Sequence, residues 1–225
     1  MTFTLDEDFE WFIEKFGTPQ KNSSVDEATF DKYRGHLPNR LLDYWKEFGF
    51  CQFKSGLFWL VNPDDYQEIM LTWLAGTGIL ELDNFHVFAR TAFGKFYLFG
   101  EKSGQSWNIE ILNGRIFHKG TNTVIVTNDD ANEEIKSFFS VTGMDSVDVK
   151  DVDTRKFIFD SAVKKFGAPQ EDEIFTFEPA PFLGGERTLK AINKVNLFIQ
   201  SDILASMGQR EIMDVKGLTK KAFGG

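Results

Sequence analysis

The chain of 225 residues holds one cysteine, Cys51, and three histidines, His36, His86 and His118. One cysteine excludes an internal disulfide, and with it the disulfide-stapled scaffold of small secreted proteins. The histidines are scattered, and none stands at metal-ligand spacing with another His or Cys. H-E-x-x-H, C-x-x-C, G-x-S-x-G and the phosphate-binding G-x-x-x-x-G-K-[ST] are all absent, which removes the commonest metalloprotease, redox, serine-hydrolase and P-loop signatures. No run of 18 apolar residues occurs, so a membrane-spanning helix is excluded on length. No basic stripe is present to neutralise phosphates, which disfavours direct binding of nucleic acid. The beginning, MTFTLDEDFEW, is acidic and lacks the basic and apolar segments of a secretory signal, so a cytoplasmic protein is expected.

What is plentiful is phenylalanine, 25 residues against 4 tyrosines, in a chain that is 42% hydrophobic. Each buried ring removes roughly 150–250 Å² from water, so well-filled cores are expected over most of the length. Net charge is −9 and unevenly placed: residues 1–84 carry 15 acidic against 7 basic side chains, whereas the remainder is nearly balanced. Solubility accounts for such a balance; the sharper reading is a surface that attracts a basic partner.

The pattern along the chain predicts an α+β fold. LDEDFEWFIEKFG places Phe9, Phe12, Ile13 and Phe16 at helical spacing, with Gly17 and Pro19 as stop signals. DEATFDKYRGHLPNRLLDYWKEFG gives a helix that restarts after Pro38. GFCQFKSGLFWLVNP is strand-like with a turn at Lys54–Gly56, and NPDDYQEIMLTWLAG is a helix capped by Asn62 with Pro63 at its first position. From Phe85 onward at least four short strands are expected, and Asn113-Gly114 is the strongest hairpin signal. NDDANEEIKSFFSVTG closes this unit as a capped helix, and the acidic MDSVDVKDVDT reads as a join. Beyond it the chain is expected to be mainly helical: TRKFIFDSAVKKFG, a Pro/Gly-rich stretch, then RTLKAINKVNLFIQSDILASMG. The fold expected is therefore N-terminal helices packed on an antiparallel β-meander (1–143), followed by a smaller, mainly helical unit (144–225) packed against it.

Two strings, KFGTPQ at 15–20 and KFGAPQ at 165–170, raise the question of a duplication. The residues after the two strings diverge completely, so we read them as one helix stop used twice: a buried Phe, a glycine in the left-handed position after the helix, and a proline. Carboxylate pairs such as Asp64-Asp65 and Asp129-Asp130 stand where helices begin, and capping suffices to explain them. Cys51 sits in an apolar strand, where a small hydrophobe is the plainer role. No catalytic group, metal site or cofactor site emerges. The most suggestive stretch is FEPAPFLGGERTLK, because Gly184-Gly185 before a helix start could turn backbone N–H groups toward an anion.

FIEKFGTP, LPNRLLDYWKEFGF, GLFWLVNPDDYQEIMLTWL and FHVFARTAFGKFYLFG together resemble a GAD-like domain. AVKKFGAPQEDEIFTFEPAPFLGGERTLKAINKVNLFIQSDILA resembles the domain that comes after it in immunity proteins of the Tdi type, with DEIFTFEPAPFLGG and INKVNLFIQSDILA the most specific parts. The resemblance spans roughly residues 5–207, and the final residues lie beyond it. It implies a non-catalytic cytoplasmic protein that binds a cognate DNase effector of type VI secretion, with no membrane, nucleic-acid or cofactor partner; a monomer is favoured. Candidate toxin-contact residues are Asp64, Asp65 and Glu68, and Phe182, Leu183, Gly184, Gly185, Glu186 and Arg187 of the FLGGER loop. Helix capping and loop packing are the competing explanations for the two sets. The alternative function is a small-ligand or anion-binding module, or an enzyme, using the Gly184-Gly185 corner with Glu178, Glu186 and Arg187.

Overall fold

Helix α1 (Glu7–Phe16) begins where the Asp6 carboxylate accepts the Phe9 N–H at 3.1 Å, and it buries Phe9, Phe12 and Phe16. The computed structural model describes residues 4–120, 123–208 and 210–214; Met1–Phe3 lie outside them. The short strand β1 (Gln20–Ser23) comes next, then α2 (Glu27–Tyr33) and α3 (Asn39–Phe48), broken apart at Pro38 as the sequence suggests. The Tyr44 hydroxyl donates to Asp6 at 2.6 Å, so the cap of α1 is also its tie to α3.

β2 (Phe50–Phe53) and β3 (Phe58–Leu60) form a hairpin across Lys54–Gly56. The segment after Asn62 divides into a 3₁₀ turn, Pro63–Tyr66, and α4 (Gln67–Leu74), with the Asn62 side chain accepting the Asp64 N–H. β4 (Phe85–Thr91), β5 (Lys95–Gly100), β6 (Gly104–Glu110) and β7 (Arg115–His118) make the meander, and Gly114 takes the left-handed backbone (φ 59°) that the β6–β7 turn requires. α5 (Asn128–Val141) starts in a reciprocal cap between Thr127 and Asp130.

The sheet is buried on both faces, and neighbouring residues show it. Phe58 and Tyr97 point to rings of α1 and α5, such as Phe12 and Phe138, whereas Trp59 and Phe96 point the other way, to Arg90 and Tyr66. The first face is an aromatic cluster in which Phe9, Phe12, Tyr44, Phe53, Phe58, Phe138 and Phe139 meet mostly edge to face, the arrangement ring quadrupoles favour.

The join is a folded element. α6 (Met144–Val147) is succeeded by a loop in which buried Asp148 accepts the Val149 and Phe159 N–H groups, and buried Asp151 accepts those of Asp153, Thr154 and Leu189. α7 (Phe159–Phe166) then leads to Gly167. Gly17 (φ 83°, ψ 170°) and Gly167 (φ 79°, ψ 162°) adopt the same backbone, and each donates its N–H to the carbonyl four residues back. The shared helix stop stands, with two corrections. Phe16 is buried, but Phe166 is only half-buried. The ψ values lie outside the left-handed helical well, in a region reached almost only by glycine.

Two further corrections concern the C-terminal part. EIFTF, within the stretch read as a Pro/Gly loop, is strand β8 (Glu173–Phe177), and the expected helix 187–208 is divided into strand β9 (Ile192–Asn196) and helix α8 (Leu197–Ser206). Asn196 settles the boundary by accepting the Phe198 and Ile199 N–H groups. Glu211–Asp214, for which the sequence offered no reading, is β10, parallel to β7. Among the described residues the main sheet therefore has eight strands, in the order β1-β2-β3-β4-β5-β6-β7-β10.

Candidate functional site

The C-terminal part meets the sheet through Arg90, whose side chain is fully buried on β4. It makes no ion pair with any described carboxylate. Its Nε donates to the Tyr66 hydroxyl at 2.9 Å, and its Nη2 donates to the carbonyls of Glu171 at 2.7 Å and Gln170 at 3.3 Å. The guanidinium also lies 4.4 Å from the centre of the Trp59 ring. Arg90 thus holds the segment after the second KFG string against the first sheet. Phe175 N–H to Ala92 O (2.8 Å) and Trp73 Nε1 to Ser201 Oγ (2.9 Å) add to the same joint.

Above this joint opens a cleft of about 470 Å³. Phe50, Trp59, Tyr66 and Phe198 supply its walls, and Asp65, Glu171 and Asp172 stand exposed around it, with no Lys or Arg in the lining. The Asp65 carboxylate accepts no hydrogen bond from the described residues; burial, and then the neighbouring Asp64 charge, raise it above the ordinary carboxylate range. Asp172 accepts one hydrogen bond, from Asn196 Nδ2 at 3.1 Å, and none of the three carboxylates is in an ion pair with a described residue. Aromatic walls with such carboxylates at the mouth suit the stem and head of a lysine or arginine from a protein partner.

Asp64 faces a different cleft. Its Oδ1 accepts from Lys32 Nζ at 2.5 Å and from the Tyr33 hydroxyl at 2.6 Å, which ties α2 to the 3₁₀ turn. Beside it, His36 Nδ1 (2.9 Å) and His86 Nε2 (3.0 Å) both reach Glu101 Oε1. Although burial opposes it, hydrogen bonds from His86, Asn84 and His36 hold the Glu101 carboxyl below its ordinary value. Glu68 stands exposed on the first turn of α4. The adjacent pair Asp64-Asp65 is therefore separated: the first staples the fold, and the second lines the open cleft.

The FLGGER loop lies elsewhere, on the β6–β7 turn. A Cβ on Gly114 would stand 2.8 Å from the Phe182 ring, and Arg187 Nη2 donates to Asn113 Oδ1 at 2.7 Å. Leu183 and Glu186 are exposed. The corner N–H groups are spent within the loop, Gly184 on Pro181 O and Gly185 on Ala180 O. A Cβ on Gly185 would meet Pro179 O at 1.6 Å, so this glycine is required by packing. The corner therefore has no free N–H pair for an anion. Among the described residues no group of three His, Cys, Asp or Glu side chains is placed to hold a metal ion, and no helix is long and apolar enough to cross a membrane. Burial pushes the Cys51 thiol up to about 12.

Sequence reasoning missed Glu171, Asp172 and the aromatic walls of the open cleft. The acidic run QEDE after Pro169 was a visible signal, but nothing local says that it faces Asp65.

Two family models account for most of this architecture. Residues 7–113 match the model of the GAD-like domain, and residues 132–208 match the model described as T6SS immunity protein Tdi1, C-terminal, in the order the sequence suggested. Among solved structures, the crystal structure of Atu4351 from Agrobacterium tumefaciens is similar to this chain in fold. It has a TM-score of 0.78 and 24% sequence identity, with 92% of each chain covered. No curated protein matches the chain.

Proposed function

We propose that this protein is an immunity protein. It binds a cognate type VI secretion DNase effector in the cytoplasm of the producing cell and blocks the active site or DNA-binding surface of that enzyme. The observation that carries the reading is the match of residues 132–208 to the immunity C-terminal model. The open cleft supports it. A DNase must present basic side chains to phosphates, and Asp65, Glu171 and Asp172 offer such a side chain a carboxylate rim over an aromatic floor. The FLGGER loop, with Leu183 and Glu186 exposed, is a second contact candidate.

The test is co-purification with the C-terminal domain of the effector encoded beside this protein, together with protection of cells that express both. A one-to-one complex is expected, with association slowed by salt. Reversing the rim charges with Asp65→Lys and Glu171→Lys should slow association about tenfold or more. Absence of both complex and protection sinks the immunity reading. A complex whose association is untouched by charge reversal would instead remove the cleft from it.

A further inference from the structure

Helix α8 is apolar on both of its sides. Leu197 and Leu204 turn inward with Ser201, yet Ile199, Ile203 and Met207, spaced four residues apart, stand 63%, 41% and 53% exposed. A helix hydrophobic all round is normally covered on every side. Single apolar side chains scattered over a surface need no explanation, but three in one row on a short helix do.

The two ends of that row tell what covers it. The first end is the open cleft. Leu197 donates its N–H to Asp172 O at 2.7 Å, and the Phe198 ring meets the Tyr66 ring with centroids 5.8 Å apart. The far end is the FLGGER loop. A Cβ on Gly208, one residue beyond Met207, would stand 3.5 Å from the Phe182 ring, and Leu183 next to that ring is exposed. Ten helical residues span about 15 Å, so the row bridges two surfaces that are otherwise separate.

Carboxylates dominate around the row. Asp202 is exposed on α8 itself, Asp65, Glu171 and Asp172 stand at the cleft end, and Glu186 at the loop end. α8 carries no Lys or Arg. Arg187 and Arg210, toward the far end, turn donors to Asn113 Oδ1 and Ala75 O. An apolar strip inside a rim of one charge is the anatomy of a protein interface, dry at its centre and electrostatically selective at its edge.

We infer that the outer face of α8 is the apolar centre of the surface that takes the effector, with the cleft carboxylates at one end and the FLGGER loop at the other. This inference rests on the immunity reading. The occupant is a protein surface with apolar side chains in the middle and lysine or arginine around them, as a DNase presents beside its phosphate-binding groove. A second copy of this chain would instead set carboxylates against carboxylates.

The test is the kinetics of the complex between the full chain and the C-terminal domain of the effector encoded beside it. Glutamine leaves the charge unchanged and suits a helix. The double variant Ile199→Gln, Ile203→Gln should melt, unbound, within about 3 °C of the wild type. It should associate within about twofold of the wild-type rate and dissociate at least about 30-fold faster. Ile199→Gln alone, at the more exposed position, should dissociate about five- to tenfold faster, and it carries the test if the double variant melts lower. Val141→Gln, on α5 at the opposite face of the sheet and also exposed, should change neither rate. If both α8 variants dissociate like the wild type while the wild-type complex forms and protects, this surface is overturned and the immunity reading stands. Absence of any complex with the wild-type chain overturns both. A free chain that sediments as a dimer, and as a monomer once Ile199 and Ile203 are replaced, gives this face to a second copy and overturns its assignment to the effector.

Discussion

Replacing Arg90 with alanine should cost about 3–5 kcal/mol of folding stability, although Arg90 makes no salt bridge. The side chain is fully buried, and its hydrogen-bond partners are the Tyr66 hydroxyl and the carbonyls of Gln170 and Glu171, with Glu173 O at the outer limit, 3.5 Å. Each acceptor left without a donor costs about 1–3 kcal/mol. Gln170 and Glu171 are exposed residues whose carbonyls water can partly reach, so the lower end applies to them. Stacking on Trp59 adds about 1 kcal/mol, and the space left behind adds a cavity term. Arg90→Lys keeps the charge, but a point-like ammonium cannot serve acceptors spread over two elements, so it should recover less than half the loss. Urea denaturation followed by both tryptophan fluorescence and circular dichroism measures this. For a slope of about 2–3 kcal/mol/M, the midpoint should fall by about 1–2 M. Because the sheet and the 170–173 segment are joined here, we expect the two probes to coincide in the wild type. A loss below about 1 kcal/mol for Arg90→Ala, or full rescue by lysine, would refute the reasoning.

Two other outcomes rest on the geometry. Gly17→Ala and Gly167→Ala should each cost about 1–3 kcal/mol and match within about 0.5 kcal/mol, because both glycines have the same strained backbone and no atom near the added methyl. Clearly unequal losses in urea titrations would show that packing, and not φ, governs these positions. Burial, opposed by the Val149 and Phe159 N–H groups, raises the Asp148 carboxyl from 3.8 to about 6. An acid raised on folding contributes stability that is fully present below the unfolded value and is lost as pH rises through the folded one. Asp148→Asn keeps an oxygen for the same two N–H groups, so it should be more stable than the wild type near neutral pH, an advantage that vanishes by about pH 4. A constant difference across a pH series of thermal melts would contradict this.

Local signals carried the first part of the fold. Asn113-Gly114 and the two KFG glycines each fix a boundary close to where the pattern put it, whereas Asn62 caps a 3₁₀ turn ahead of the helix and Thr127, the cap of α5, went unread. Leu189, Ile192, Val195 and Ile199 also fit a helix, but Ile192–Asn196 pairs with Glu173–Phe177, and a partner some twenty residues away overrides local spacing. The functional residues were harder for the same reason. Asp64 and Asp65 look equivalent in sequence, yet Lys32 and Tyr33 claim one and leave the other open. Asp148 and Asp151 read as a solvated acidic join, and they are buried because backbone N–H groups converge on them. Arg90 gave no local sign of its role, since its partners lie about 80 residues downstream.

The parallel pairing of β10 with β7 bears on how the chain reaches this state. During synthesis β7 emerges long before residues 211–214, with the whole immunity-type segment in between. Until then the outer rim of a seven-stranded sheet displays unpaired N–H and C=O groups, an invitation to a second nascent copy. Covering that rim is a late, long-range event, and such contacts form slowly. Aggregation during expression should therefore depend on how soon this four-residue strand docks on β7.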